Sequence, residues 1–276
     1  MPGVPDPLYV RARAALLEAV DALGPQCGAV VLVGAQAVYL HTGDADLAVA
    51  EYTTDADFAV SPADLADGPL LGDLFTAHGF VPREHPGGWL SPDGIYVDIM
   101  VPEALAGPGT RGARLGPHGK RAARRAKGLE GALVDNGVRT IAALDPLDAR
   151  TATLRIAGPG ALLVAKLHKI AERTQAHDRV RDKDALDVLR LLRATETQDI
   201  ATRLAMLSRS DLSAGVTAEA LEFLPALFGR QDGEGVEMAV HAAGGAEDRA
   251  TIAGSFVALV DDLLKALQRP NRASDI

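Results

Sequence analysis

Residues 29–60 read AVVLVGAQAVYLHTGDADLAVAEYTTDADFAV, and the fold turns on how this stretch divides. AVVLV (29–33) is a β-branched run of strand length that stops at Gly34. AQAVYLHT then has helical composition, so the unit reads strand, glycine turn, helix, with Gly34 at the helix N-terminus. After the acidic residues GDADLAVAEYTT comes DADFAV, which alternates like a strand. Side chains two apart on a strand share a face, so Asp55 and Asp57 project together while Ala56 and Phe58 project oppositely.

The flanks extend this pattern. LYVRARAALLEAVDAL (8–23) has apolar residues at helical spacing and ends at Gly24-Pro25. Ser61-Pro62 predicts a capped helix reaching about Gly79. IYVDIMV (95–101) predicts a strand with Tyr96, Asp98 and Met100 on one face, and Asp98 interrupts an otherwise apolar run. Asn136-Gly137, between two apolar runs, predicts a hairpin turn, and ATLRIAG predicts a further strand. From Gly158-Pro159-Gly160, read as a boundary, the pattern is helical, with helices expected at 160–175, 181–194, 197–209, 217–228 and 249–268. The expected class is α+β: a lobe at 1–157 built on a mixed sheet, then a helical lobe at 158–276.

Composition narrows the function classes. The chain has 276 residues, 47% apolar but only 4% aromatic, which predicts a core of Ala, Leu and Val. The single cysteine, Cys27, predicts a buried small hydrophobe in a reducing compartment. No signal-peptide start and no run of about 18 apolar residues is present, so the expectation is a soluble cytoplasmic protein with no membrane partner. The formal charge of −9 argues against general nucleic-acid binding. Its distribution is uneven: residues 1–110 carry fifteen acids and three bases, whereas 111–127 (RGARLGPHGKRAARRAK) carry seven bases and no acid.

Nucleotidyl transfer asks little covalent chemistry of a protein and much charge neutralisation, which a divalent cation supplies. Mg²⁺ takes few carboxylates and keeps its other positions for water or substrate oxygens. Asp55 and Asp57 meet that need, Asp98 on a neighbouring strand completes the cluster, and a glycine turn at Gly34 lets backbone N–H groups approach a triphosphate. Gly34 with Ala35, Asp55-Ala56-Asp57 and Asp98 resemble the Gly-Ser…Asp-x-Asp…Asp pattern of the DNA polymerase β-like nucleotidyltransferase superfamily. AKLHKIAER (165–173) and RDKDALDVLRLL (181–192) resemble the Lys-bearing and Lys-Asp-x-x-Asp helices of its AbiEii-type abortive-infection toxins.

The resemblance implies a Mg²⁺-dependent enzyme of a toxin–antitoxin system that moves a nucleotide from a nucleoside triphosphate such as ATP to an acceptor such as tRNA. It implies that Lys166 contacts nucleotide phosphates, that Asp184 belongs to the active site, and that a cognate antitoxin is a partner. The chain departs from the pattern twice: Ala35 stands where the family has Ser, and the longer segment before Asp55 carries Asp44, Asp46 and Glu51. Two other readings follow from these departures: transfer to a small hydroxylated molecule, and a non-catalytic protein that retains the fold to bind a nucleotide or a partner.

Several signals have plain explanations. Asp187 lies nearly a turn beyond Asp184 and reads as structural. His168 and His177 are nine residues apart and no His-x-x-x-His spacing occurs, so the histidines read as packing or surface residues. The basic segment is expected to be helical with Arg121, Arg124 and Arg125 on one face, either as an RNA-contacting arm or as a solvated surface.

Overall fold

The computed structural model describes residues 6–43, 53–176 and 182–269; the insertion residues Asp44, Asp46 and Glu51 and also His177 lie outside them. Helix α1 (Pro7–Leu23) starts where Asp6 accepts a hydrogen bond from the Leu8 amide at 2.8 Å and stops at Gly24. It buries Ala12, Leu16, Val20 and Leu23. Strand β1 (Val30–Val33) leads directly into helix α2 (Gly34–Thr42), and β2 (Asp55–Val60) returns antiparallel to β1. Helix α3 (Leu71–Ala77) precedes strands β3 (Val81–Pro82), β4 (Gly88–Leu90), β5 (Tyr96–Pro102), β6 (Arg124–Ala126), β7 (Asn136–Ala142) and β8 (Thr151–Ala157). Six helices follow: α4 (Pro159–Ala176), α5 (Lys183–Ala194), α6 (Thr197–Leu207), α7 (Ala214–Phe228), α8 (Glu234–Ala243) and α9 (Arg249–Gln268).

Among the described residues the strands form one mixed sheet in the order β3-β4-β5-β2-β1-β8-β7, with β6 paired to β5. Pairing is antiparallel for β1 with β2 but parallel for β2 with β5 and for β1 with β8. The class is therefore α+β. No described helix is long and apolar enough to cross a membrane.

The core runs without a break from the sheet into the helices. Helix α2 packs against both α4 and α5, and α5 lies among α2, α4, α8 and α9, which buries nearly its whole circumference. The start of α4 is tied down by the buried Asp135, which accepts from the Ala161 amide at 3.0 Å and from Arg203 of α6 at 2.6 Å. A carboxylate at that position satisfies an otherwise unpaired N–H and complements the helix dipole.

Several expectations are corrected. The helix predicted from Ser61 begins only at Leu71, because Pro62 and Pro69 flank a stretch holding Asp64, Asp67 and Gly68 that favours turns. Asn136-Gly137 is not a turn. It starts β7, whose ladder with β8 runs from Asn136 opposite Ala157 to Ala142 opposite Thr151, leaving the turn at residues 143–150. The apolar run before it coils instead into a short 3₁₀ turn, Glu130–Leu133. The basic segment is not a helix, since Arg124–Ala126 is a strand. Helix α8 was not foreseen, its ten residues being bracketed by Gly233 and Gly244.

The few aromatic residues matter more to the core than their number suggests. Phe58, Phe75, Phe80, Phe228 and Phe256 are among the largest fully buried side chains, and Phe228 stacks on Phe256 with centroids 4.5 Å apart. Cys27 is half-buried against this core, and burial pushes its thiol above the ordinary value. A protonated thiol is a poor nucleophile, which agrees with its reading as a small hydrophobe.

Candidate active site

The register of the central strands decides the site. Asp57 of β2 stands opposite Asp98 of β5, and Val33, the last residue of β1, stands opposite Asp57 on the other side. Three carboxylates thus gather where β1 hands the chain to α2. Asp55 accepts from the Thr53 hydroxyl at 2.6 Å, and its backbone carbonyl accepts from the buried Gln36 amide at 3.0 Å. Gln36 is held in turn by the buried Arg13, whose Nε donates to Gln36 Oε1 at 3.1 Å, and by the Ala12 carbonyl at 2.9 Å. A buried polar network of this kind, with its partners supplied, fixes a strand end against α1 and α2.

Gly34 is required by two independent facts. Its φ is +72°, a region L side chains rarely adopt, and a Cβ at that position would lie 2.2 Å from Asp57 Oδ2. The glycine lets the Asp57 carboxylate lie directly against the start of α2. Ala35, the next residue, is buried and brings no hydroxyl there.

Asp57 is the electrostatic centre. Burial, then the charge of Asp55 and more weakly that of Asp98, push its carboxyl up to about 7, against the opposing pull of Lys169 and Arg124. Asp98 has company on its far side: His85 Nε2 is 3.3 Å from one oxygen and Arg124 Nη2 is 3.4 Å from the other.

Asp55, Asp57 and Asp98 line one wall of a cleft of about 750 Å³ between the sheet and helices α4 and α7. Its volume is that of ordinary small-molecule sites. Lys166, Lys169, Arg124, Arg125 and Lys127 also line it, so the carboxylates face a set of cations.

Lys166 is nonetheless buried and committed. Its ammonium donates to Asp184 Oδ1 at 2.6 Å and to Asp187 Oδ2 at 2.5 Å, and both carboxylates are themselves buried. Burial alone would lower the Lys166 pKa, but the two carboxylates outweigh it and hold the amine charged. The same oxygen, Asp184 Oδ1, is also approached by Lys169 Nζ at 3.3 Å. Lys169 is 41% exposed, so of the two lysines it is the one whose charge reaches the cleft. Asp187, read as structural, is one of the two anchors of Lys166.

The three arginines expected on one helical face are dispersed. Arg124 pairs with Asp98; Arg121 donates to the backbone carbonyls of Arg83 and Glu84 at 3.1 and 2.9 Å; Arg125 pairs with Glu103 at 3.3 Å and donates to the Gly109 carbonyl. An extended strand sends neighbouring side chains to opposite sides, which a helical face would not. Arg111, Arg114 and Lys120 of the same segment are exposed.

Among the described residues no three His, Cys, Asp or Glu side chains converge into a ready-made metal cage. The donor set still suits Mg²⁺. Asp55 and Asp57 supply hard oxygens from adjacent positions on one face, and Mg²⁺ is commonly held by one or two carboxylates with substrate phosphates completing its octahedron. Burial first and the Asp55 charge second raise the Asp57 carboxyl, and a cation between the two carboxylates would offset both. Asp98, engaged by His85 and Arg124, is the least available of the three.

Four participants escaped the sequence reading. Lys169 follows Lys166 by three positions on a helix that was foreseen, so the spacing held the signal. Gln36 and Arg13 look like ordinary helix residues, and only the packing of α1 on α2 makes them supports for Asp55. His85 lies in a loop with no periodicity to interpret. No protein-family model and no curated protein matches the chain.

Proposed function

We propose that the protein is a nucleotidyltransferase that moves a nucleotide from a nucleoside triphosphate to a hydroxyl-bearing acceptor. The observation that carries this reading is the juxtaposition of Asp55, Asp57 and Asp98 with Gly34 at the start of α2, in a cleft also lined by Lys169 of α4 and by Arg124, which pairs with Asp98. Asp55 and Asp57 would hold Mg²⁺, which supplies charge neutralisation on the phosphates when bound. The acceptor oxygen attacks the α-phosphorus, a new P–O bond forms as the bond to the β-phosphate bridging oxygen breaks, and pyrophosphate leaves. Asp98 takes the acceptor proton, with His85 sharing it, and Lys169 stabilises the departing pyrophosphate.

Exposed Arg111, Arg114 and Lys120 beside an acidic lobe favour a polyanionic acceptor such as RNA. The test incubates the protein with each labelled triphosphate and total RNA, with and without Mg²⁺. Asp55→Asn and Asp57→Asn keep side-chain shape while removing charge, and each should lower transfer at least about 10²-fold with folding intact. Transfer at the parent rate by either variant overturns the assignment. Label entering small hydroxylated molecules but not RNA overturns the acceptor alone.

A further inference from the structure

The cleft carries a second chemical surface that phosphate binding does not use. Helix α7 presents Glu219 and Phe223, one turn apart, to the cleft. Phe223 is half-buried and, among the described residues that line the cleft, is the one Phe, Tyr or Trp. Its ring meets the His168 imidazole edge-on, with centroids 5.4 Å apart and planes at 85°. His168 is buried and its Nε2 lies 2.8 Å from the Val216 carbonyl, so the contact that orients Phe223 is itself fixed. Beside them Lys127 and Glu219 form an ion pair at 2.6 Å in which both side chains remain nearly half exposed. Buried Leu129 and Leu162 add an apolar lining.

We propose that this end of the cleft binds the nucleobase of the nucleotide, with Phe223 stacking on the base face and the Lys127–Glu219 pair meeting its hydrogen-bonding edge. The inference rests on the nucleotidyltransferase reading and extends it to a subsite. A ligand that satisfies the whole cleft needs a polyanionic end for Lys169 and Arg124 and a flat, apolar-faced end with polar edges. A nucleoside triphosphate has both. Every base has a π-face, so stacking supplies affinity without choosing among bases. Choice falls to the pair: Glu219 only accepts and Lys127 only donates, which matches the donor and acceptor set side by side on a base edge. The pair also leaves the subsite neutral, so an uncharged base enters without opposing a net field.

The test separates the two ends by using a ligand that has only one of them. Binding of ATP, CTP, GTP, UTP and inorganic tripolyphosphate is measured by calorimetry with Mg²⁺ present, for the parent, Phe223→Ala and Phe223→Tyr. Phe223→Ala should weaken the triphosphate nucleotides roughly tenfold and leave tripolyphosphate unchanged, and Phe223→Tyr should restore nucleotide affinity. Glu219→Gln, which turns an acceptor into a donor and acceptor, should change the order of preference among the four nucleotides. If Phe223→Ala weakens tripolyphosphate as much as nucleotide, or weakens neither, the subsite is wrong while the phosphate site stands. If the parent binds none of the five ligands, the nucleotidyltransferase reading itself falls, and the subsite with it.

Discussion

Replacing Asp57 with Asn should make the metal-free protein more stable, and increasingly so as pH rises. The folded protein holds the Asp57 carboxyl at about 7 against an ordinary 3.8. Between those values the unfolded chain releases a proton that the folded protein keeps, so stability is full below pH 3.8 and is lost as pH rises towards 7. The gap, 7 − 3.8, is about 3.2 pH units; at about 1.4 kcal/mol each this sets a ceiling of about 4 kcal/mol. More than half of that loss falls above about pH 5. Asn cannot ionise, so the variant lacks this term. The assay is urea or thermal unfolding of parent and variant in EDTA from pH 4.5 to 8. The two stability curves should lie close at the acid end and diverge by about 2–3 kcal/mol by pH 8. Under the proposed function Mg²⁺ binds the native state through Asp55 and Asp57, so adding it should restore stability to the parent at pH 8 but much less to the variant. Curves that run parallel across the range, or a variant that loses stability at pH 8, would refute the claim that burial and the neighbouring Asp55 charge raise the Asp57 carboxyl.

Lys166 and Lys169 should separate cleanly. Lys166→Met removes the buried ammonium that donates to both Asp184 and Asp187 and should cost about 3–5 kcal/mol in unfolding measurements, whereas Lys169→Ala should fold normally and raise the KM for nucleotide roughly tenfold. Gly34→Ala forces a left-handed backbone and a clash with Asp57; it should lower stability by about 1–3 kcal/mol and abolish transfer. Asp135→Ala leaves the Ala161 amide and Arg203 without their acceptor; it should cost about 2 kcal/mol on melting, with KM unchanged if α4 stays in place.

The parts of the fold that could be read in advance are those with a period. AVVLV, DADFAV and IYVDIMV carry strand patterning, which puts the acids of each strand on one face, and the observed pairing then sets Asp57 opposite Asp98. The long amphipathic helices were legible for the same reason. What failed was non-periodic. Asn136-Gly137 suits a tight turn locally, but seven residues of ladder with β8 outweigh a two-residue preference. The basic segment has helix-favouring residues, yet pairing with β5 holds Arg124 and Arg125 extended. At the site, the carboxylates were legible from strand alternation and the family resemblance, whereas the division of labour between Lys166 and Lys169 depends on which amine α5 covers. Only the packed structure contains that fact.

The buried Lys166–Asp184–Asp187 cluster has a consequence for how such sequences drift. Losing any one of the three removes a buried charge partner from the others, so single substitutions are penalised while a concerted swap to well-packed apolar residues is not. The three positions should therefore covary as a block among descendants of this chain, independently of whether Asp55 and Asp57 persist. A lineage that abandoned nucleotide chemistry would shed the aspartates of β2 and keep the lysine and its two partners. Under the proposed function, the Lys…Asp-x-x-Asp signature would then mark common ancestry and the β2 pair would mark retained activity.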